Sequence, residues 1–150
     1  MNALFLDLEG TIIDEWDSPF IINEKEINRF ISSSNYDTFG IFSYAIHNDS
    51  DRKIFDRDIK PVIDKILDIE IDPSLIWTPS DVLKAWVEYK KVAGAEFNDV
   101  FTWTDKEYGF GLLVRSKFKE GMFSLIDDTV EHTLFQKDRL LIQTFNVGKV

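Results

Sequence analysis

The stretch Ala3-Leu4-Phe5-Leu6-Asp7-Leu8-Glu9-Gly10-Thr11 decides how this chain is read. Residues 3–8 form an apolar run with an acid set near its end, the pattern of a buried strand closing on Asp7. An unpaired buried carboxylate is costly, so Asp7 calls for a partner. Gly10 lets the chain turn away from the strand, and amide groups exposed there can face an anion. A second apolar run, Met122 to Ile126, closes in the same way on Asp127-Asp128.

The chain between these runs alternates strand and helix. Asn23 is placed to cap a helix, with Glu26 at the third position and Ile22 and Ile27 as its hydrophobic staple. Phe39 to Tyr44 reads as a strand ending near Ser43. A helix then runs to about Asp68, with Ile59, Val62, Ile63, Ile66 and Leu67 at helical spacing. Pro61 marks either the first turn of a helix capped by Asp58 or a kink in a longer one.

Leu75-Ile76-Trp77 is a third strand, and Thr78-Pro79-Ser80-Asp81 starts a helix whose buried face carries Val82, Leu83, Trp86 and Val87. Phe101-Thr102-Trp103 is a brief extended piece. Thr104 caps a further helix, Glu107 completing its capping box, through roughly Lys117. Gly109 and Gly111 weaken that helix unless it packs closely on a sheet. After the strand at 122–126, Glu131 to Lys137 reads as a short helix and Leu140 to Phe145 as a last strand. The alternation predicts a single α/β domain over 1–150: three layers, with a mostly parallel open sheet and helices on both faces.

Composition sets the class of chemistry. The 150 residues are 44% apolar and 29% charged, a globular balance. Cysteine is absent, so thiolate chemistry is out and any metal takes oxygen ligands or the two histidines. Oxygen ligands favour magnesium or calcium over zinc. The net charge of -10 comes mostly from the first half, and no dense basic patch is visible in the sequence, which disfavours nucleic acid as a partner. No segment approaches membrane-spanning length or resembles an export signal, so the expected location is cytoplasmic, with no membrane partner.

In open parallel sheets ligands lie beyond the carboxyl ends of the strands. Asp7, Ser43 and Asp127 fall at such ends, and a divalent cation shared by Asp7 and Asp127 explains two acids in one place. Thr11 and Ser43 offer hydroxyls to phosphate oxygens. Lys106 and Lys117 compete as the cation beside them. They lie at opposite ends of one helix, roughly 16 Å apart at about 1.5 Å per residue. The helix preceding the Asp127 strand runs antiparallel to it, which favours Lys106. Each feature alone has a plainer reading: a turn or cap for Asp127-Asp128, a loop hydroxyl for Ser43, a surface lysine for Lys106. His47 and His132 read as solvent or capping groups. Trp77, Trp86 and Trp103 read as core residues rather than a base-stacking platform.

Taken together these residues resemble the haloacid dehalogenase-like (HAD-like) superfamily of magnesium-dependent phosphatases, whose fold is Rossmann-type. Its first motif, Asp-x-Asp-x-Thr after a strand, resembles Asp7-Leu8-Glu9-Gly10-Thr11. The resemblance implies that Asp7 is the nucleophile and a magnesium ligand. Glu9 takes the place of the general acid/base, with its backbone carbonyl on the metal. The second motif is similar to Ile41-Phe42-Ser43, making Ser43 a phosphate ligand. Lys106 most resembles the third, the lysine that steadies phosphate and nucleophile. The fourth resembles Ser124-Leu125-Ile126-Asp127-Asp128 with Glu131 following; Asp127 would bind magnesium, helped by Asp128. Glutamate at position 9 departs from the usual aspartate and moves the carboxyl outward, although enolase-phosphatases of the superfamily share it.

The resemblance implies a capless phosphomonoester hydrolase acting on a phosphorylated small molecule. The short segments at 14–22 and 44–52 could form a partial lid, and their acidity favours singly phosphorylated substrates. Two alternatives stand beside it: a catalytically weak relative serving as a binding or regulatory module with a protein partner, and an acidic α/β protein of response-receiver type. The Gly10-Thr11 sequel to Asp7 argues against the latter.

Overall fold

A computed structural model describes residues 1–17, 19–96, 98 and 105–150. The chain builds an α/β fold around a six-stranded sheet in the order β3-β2-β1-β4-β6-β5. The strands are β1 (Asn2–Leu6), β2 (Thr38–Phe42), β3 (Ile71–Trp77), β4 (Gly121–Asp127), β5 (Thr133–Lys137) and β6 (Leu140–Asn146). Every neighbouring pair is parallel except β5–β6, so β5 is an antiparallel edge on a parallel sheet.

Helices α1 (Glu24–Ser32), α2 (Asp49–Ile54), α3 (Lys60–Leu67), α4 (Pro79–Lys90) and α5 (Lys106–Lys117) flank the sheet. They cover both faces because β1 is apolar on both. Ala3 and Phe5 pack into a core with Val82 of α4 and Phe110 of α5. Leu4 and Leu6 pack into a second core with Ile27 of α1 and Ile63 of α3. Such two-sided burial is what a continuous apolar strand requires. Phe5 is stacked on Trp77 at 4.2 Å between ring centres and meets Phe110 edge-on at 5.3 Å, which ties three elements together.

Several local expectations hold. Thr78 and Asp81 form the reciprocal capping box at the start of α4, with Pro79 in its first turn. Gly109 lies against Tyr44 and Val82 of α4, where a Cβ would come 3.1 Å from the Tyr44 hydroxyl; Gly111 has open space around it, so close packing accounts for the first glycine and not the second. The expected extended piece Phe101-Thr102-Trp103 and the cap at Thr104 lie outside the described residues. Asp105 is the N-cap of α5, accepting the Tyr108 amide at 2.7 Å. Glu107 is not its capping-box partner: it accepts the Glu131 amide instead.

Three more expectations are corrected. Residues 133–137 are the edge strand β5 rather than part of a helix, paired with β6 through a turn at Asp138-Arg139 in which Asp138 has φ 54°. Asn23 has left-handed backbone and makes no side-chain cap. Its amide donates instead to the Thr11 carbonyl at 2.8 Å, fastening α1 to the loop after β1. Pro61 does lie in the first turn of a helix, but Asp58 is not its cap: it pairs with Arg57, and a π-helical segment at Phe55–Ile59 carries α2 into α3. That widened turn accommodates the missing amide of Pro61 within a continuous helical run. Among the described residues, no helix is long and apolar enough to cross a membrane.

Candidate active site

From β1 the chain goes outward to β2 and β3 on one side, whereas β4 lies on the other. The sheet therefore changes direction between β1 and β4, where open α/β sheets form ligand crevices at their carboxyl ends. Asp7 follows β1 directly, and its amide donates to the Ile126 carbonyl at 3.1 Å, extending the β1–β4 ladder. Asp127 ends β4 on the adjacent strand. The residues closing the two apolar runs of the sequence thus meet at one point.

The loop beyond β1 is a tight turn. The amides of Thr11, Ile12 and Ile13 all return to the Leu8 carbonyl, and Gly10 N–H reaches the Ile13 carbonyl at 2.8 Å. Gly10 has φ 78°, which suits glycine. Space also demands it: a Cβ would lie 2.2 Å from Asp128 Oδ2. The bare turn therefore makes room for the Asp128 carboxylate.

Asp7, Asp127 and Asp128 each offer an oxygen, and these three oxygens lie within 4.8 Å of one another. Asp7 and Asp127 are buried, whereas Asp128 is exposed. Lys106, in the first turn of α5, donates to Asp7 Oδ1 at 2.7 Å and also pairs with Asp127 Oδ2. Its ammonium lies 5.6 Å from the ring centre of Phe42 and 5.2 Å from that of Tyr44. The other oxygen of Asp127 accepts the Thr129 amide and hydroxyl, at 2.8 and 2.9 Å.

Electrostatics follow from this crowding. Burial raises the Asp7 carboxyl to about 7; the Lys106 charge opposes that rise and the Asp127 charge adds to it. Burial works against the Lys106 ammonium, but the charges of Asp7 and Asp127 prevail and raise its pKa. Burial, then the charges of Asp127, Asp105 and Asp7, push the Tyr44 phenol well above its usual value. With all three carboxylates ionised, one lysine leaves two negative charges uncompensated, the charge of one divalent cation.

The remaining expected residues divide. Ser43 is buried at the end of β2 and lines the same cleft of about 460 Å³, its Oγ accepting the Ala45 amide at 3.1 Å. Glu9 lies on the rim, exposed, with Oε2 held by the Trp16 amide at 2.9 Å. Its carboxylate is outside the three-acid cluster. Lys117 sits at the far end of α5, among Phe118, Lys119 and Arg139, so Lys106 is the lysine at the site.

Thr11, expected to hold phosphate, is fully buried. Its hydroxyl donates to Asp7 Oδ2 at 3.0 Å and accepts the Asp128 amide at 3.0 Å. It ties the two acidic strand ends together and does not line the cleft. Glu131 is turned away, pairing with Lys149. His47 and His132 stand outside the acidic cluster, His132 stacked on Phe145.

Tyr44, Asp105 and Thr129 also line the cleft and were not singled out from the sequence. Tyr44 and Asp105 adjoin Ser43 and Lys106, so chain neighbours of the expected residues were the available signal. Asp127-x-Thr129 carries the spacing of a side-chain-capped turn. No family model, curated protein or solved structure matches this chain.

Proposed function

We propose that the chain is a magnesium-dependent phosphomonoester hydrolase of HAD-like type, with Asp7 as the nucleophile. One observation carries this reading: Asp7, Asp127 and Asp128 converge at the sheet's change of direction with a single lysine between them. Structural carboxylates are normally matched one for one by partners, whereas this cluster retains an excess of negative charge suited to a divalent cation.

The oxygen-only donor set fits magnesium, which Asp7, Asp127 and Asp128 would hold, with the Glu9 carbonyl assigned to it by the resemblance alone. When bound, the ion supplies positive charge to the phosphate oxygens. Asp7 attacks phosphorus through one carboxylate oxygen, forming a phosphorus–oxygen bond as the bond to the ester oxygen breaks. Lys106 orients Asp7 and offsets charge on the phosphoryl group. Ser43 directs its hydroxyl proton to a phosphate oxygen, since its lone pair already receives Ala45 N–H. Glu9 protonates the departing alkoxide, then removes a proton from the water that attacks the aspartyl phosphate. That second attack releases inorganic phosphate and restores the Asp7 carboxylate.

Incubation with magnesium and a panel of phosphomonoesters tests the reading. Phosphate release by the native chain, lost in Asp7→Asn, is the expected result. Failure across the panel with magnesium bound favours the second reading, a HAD-like binding or regulatory module. The restraint of Glu9 by Trp16 supports that alternative, because it holds the acid on the rim.

A further inference from the structure

The opposite end of the molecule has a different character. Around the carboxyl end of α5 and the β5–β6 turn lies a groove of about 260 Å³, lined by Arg115, Phe118, Phe135 and Lys137 among others. It shares Phe118, Lys119 and Asp138 with a more open hollow of about 470 Å³ that adds Lys117 and Arg139. These two surfaces carry five bases, Arg115, Lys117, Lys119, Lys137 and Arg139, against two acids, Glu120 and Asp138. The patch is net positive on a chain of net charge -10. Only Arg139 among the five has an ion pair among the described residues, a long one of 3.9 Å to Glu120.

The groove runs beside β5, which among the described residues is paired on one side only, so alternate residues along it present N–H and C=O groups on the free edge. All five residues of β5 are exposed, Leu134 at 64% and Phe135 at 39%. Strand alternation puts Phe135 and Lys137 on one face, where Arg115 lies 5.1 Å from the Phe135 ring centre, and Leu134 on the other.

We propose that β5 and this basic groove form a docking site for an acidic segment of a partner protein, which adds to the sheet in extended form. Main-chain pairing with β5 supplies affinity, and side chains alternating across the added strand supply selectivity. The pattern that fits places acids toward Arg115 and Lys137, alternating with apolar residues toward Leu134. Charge favours this occupant over a second copy of the chain, since a two-fold pairing brings the same basic patch to both sides. It is favoured over nucleic acid because a phosphodiester backbone has no donor–acceptor ladder to match an edge strand.

The test is fluorescence anisotropy on the full chain with a labelled, end-blocked peptide of alternating Glu and Leu. Controls are the same composition in two blocks, a Lys/Leu peptide and a single-stranded oligonucleotide. Saturable binding of the alternating acidic peptide is expected, weakening as salt rises. Arg115→Glu with Lys137→Glu should weaken it at least about tenfold, and the milder Arg115→Ala about threefold, with circular dichroism and the Asp7 site unchanged. Equal binding of the block or Lys/Leu peptide, preference for the oligonucleotide, self-association through β5, or no peptide binding would each overturn the proposal.

Discussion

Asp7 and Asp127 close adjacent parallel strands and share one cation, the ammonium of Lys106. Neither carboxylate is stabilised by solvent, because Asp7 is 5% exposed and Asp127 fully buried. The arrangement makes the site costly to stability as long as no further cation compensates its charge, and the first three predictions follow from that.

Stability of the metal-free chain should depend on pH through Asp7. Its carboxyl is raised from 3.8 to about 7, so the folded state holds this proton more tightly than the unfolded chain. The stabilising contribution is complete below the unfolded value and is lost as pH rises through about 7. Thermal melts with a chelator should show this decline between those limits, and magnesium should reverse it at the upper end. A melting temperature independent of pH across that range contradicts the assignment.

Asp7→Asn removes the raised carboxyl while keeping the shape of the side chain. At pH 8 without metal it should melt roughly 2–8 °C higher than the native chain, equivalent to about 1–2 kcal/mol. Phosphatase activity should fall at least about a thousandfold. Lower stability in the variant would show that Asp7 is a net structural asset.

Lys106→Met should act in the opposite direction. It leaves Asp7 and Asp127 buried without their shared cation, a loss of about 3–5 kcal/mol at pH 8 in chelator. Magnesium should restore a large part of this, since a divalent ion compensates the same charges. Chemical denaturation with and without magnesium measures both effects.

Gly10→Ala tests the space reserved for Asp128. The new methyl collides with that carboxylate and sits on a backbone of φ 78°. The expected loss is about 1–3 kcal/mol of stability, with magnesium affinity reduced by about tenfold or more. Calorimetric titration separates the two, because a purely conformational effect leaves the affinity of the folded variant unchanged.

Both ends of this site were legible because each is a buried strand broken by an acid, a contradiction that apolar patterning alone makes visible. Lys106 was legible through helix length and direction, without knowledge of its contacts. Thr11 was not: its hydroxyl was assigned to phosphate, but the tight turn at Leu8–Ile13 folds it beneath Asp7, a geometry that spacing does not reveal. β5 was missed for a different reason. An edge strand exposed on both faces lacks a buried alternation, and its turn at Asp138-Arg139 has no glycine to mark it. Asn23 has the residue type of a helix cap, yet its backbone is left-handed and its side chain is taken by the Thr11 carbonyl, a tertiary bond that spacing does not show.

Glu9→Gln provides the sharpest test, because it should block hydrolysis of the aspartyl phosphate more than its formation. The variant would be mixed with magnesium and an activated aryl phosphate ester, whose leaving group needs little acid assistance, then quenched in acid and its peptides weighed. A single phosphoryl group on the peptide containing Asp7, absent in Asp7→Asn with Glu9→Gln, is the predicted result. Magnesium binding without any phosphoryl group on Asp7, or a phosphoryl group on another residue, would contradict the account.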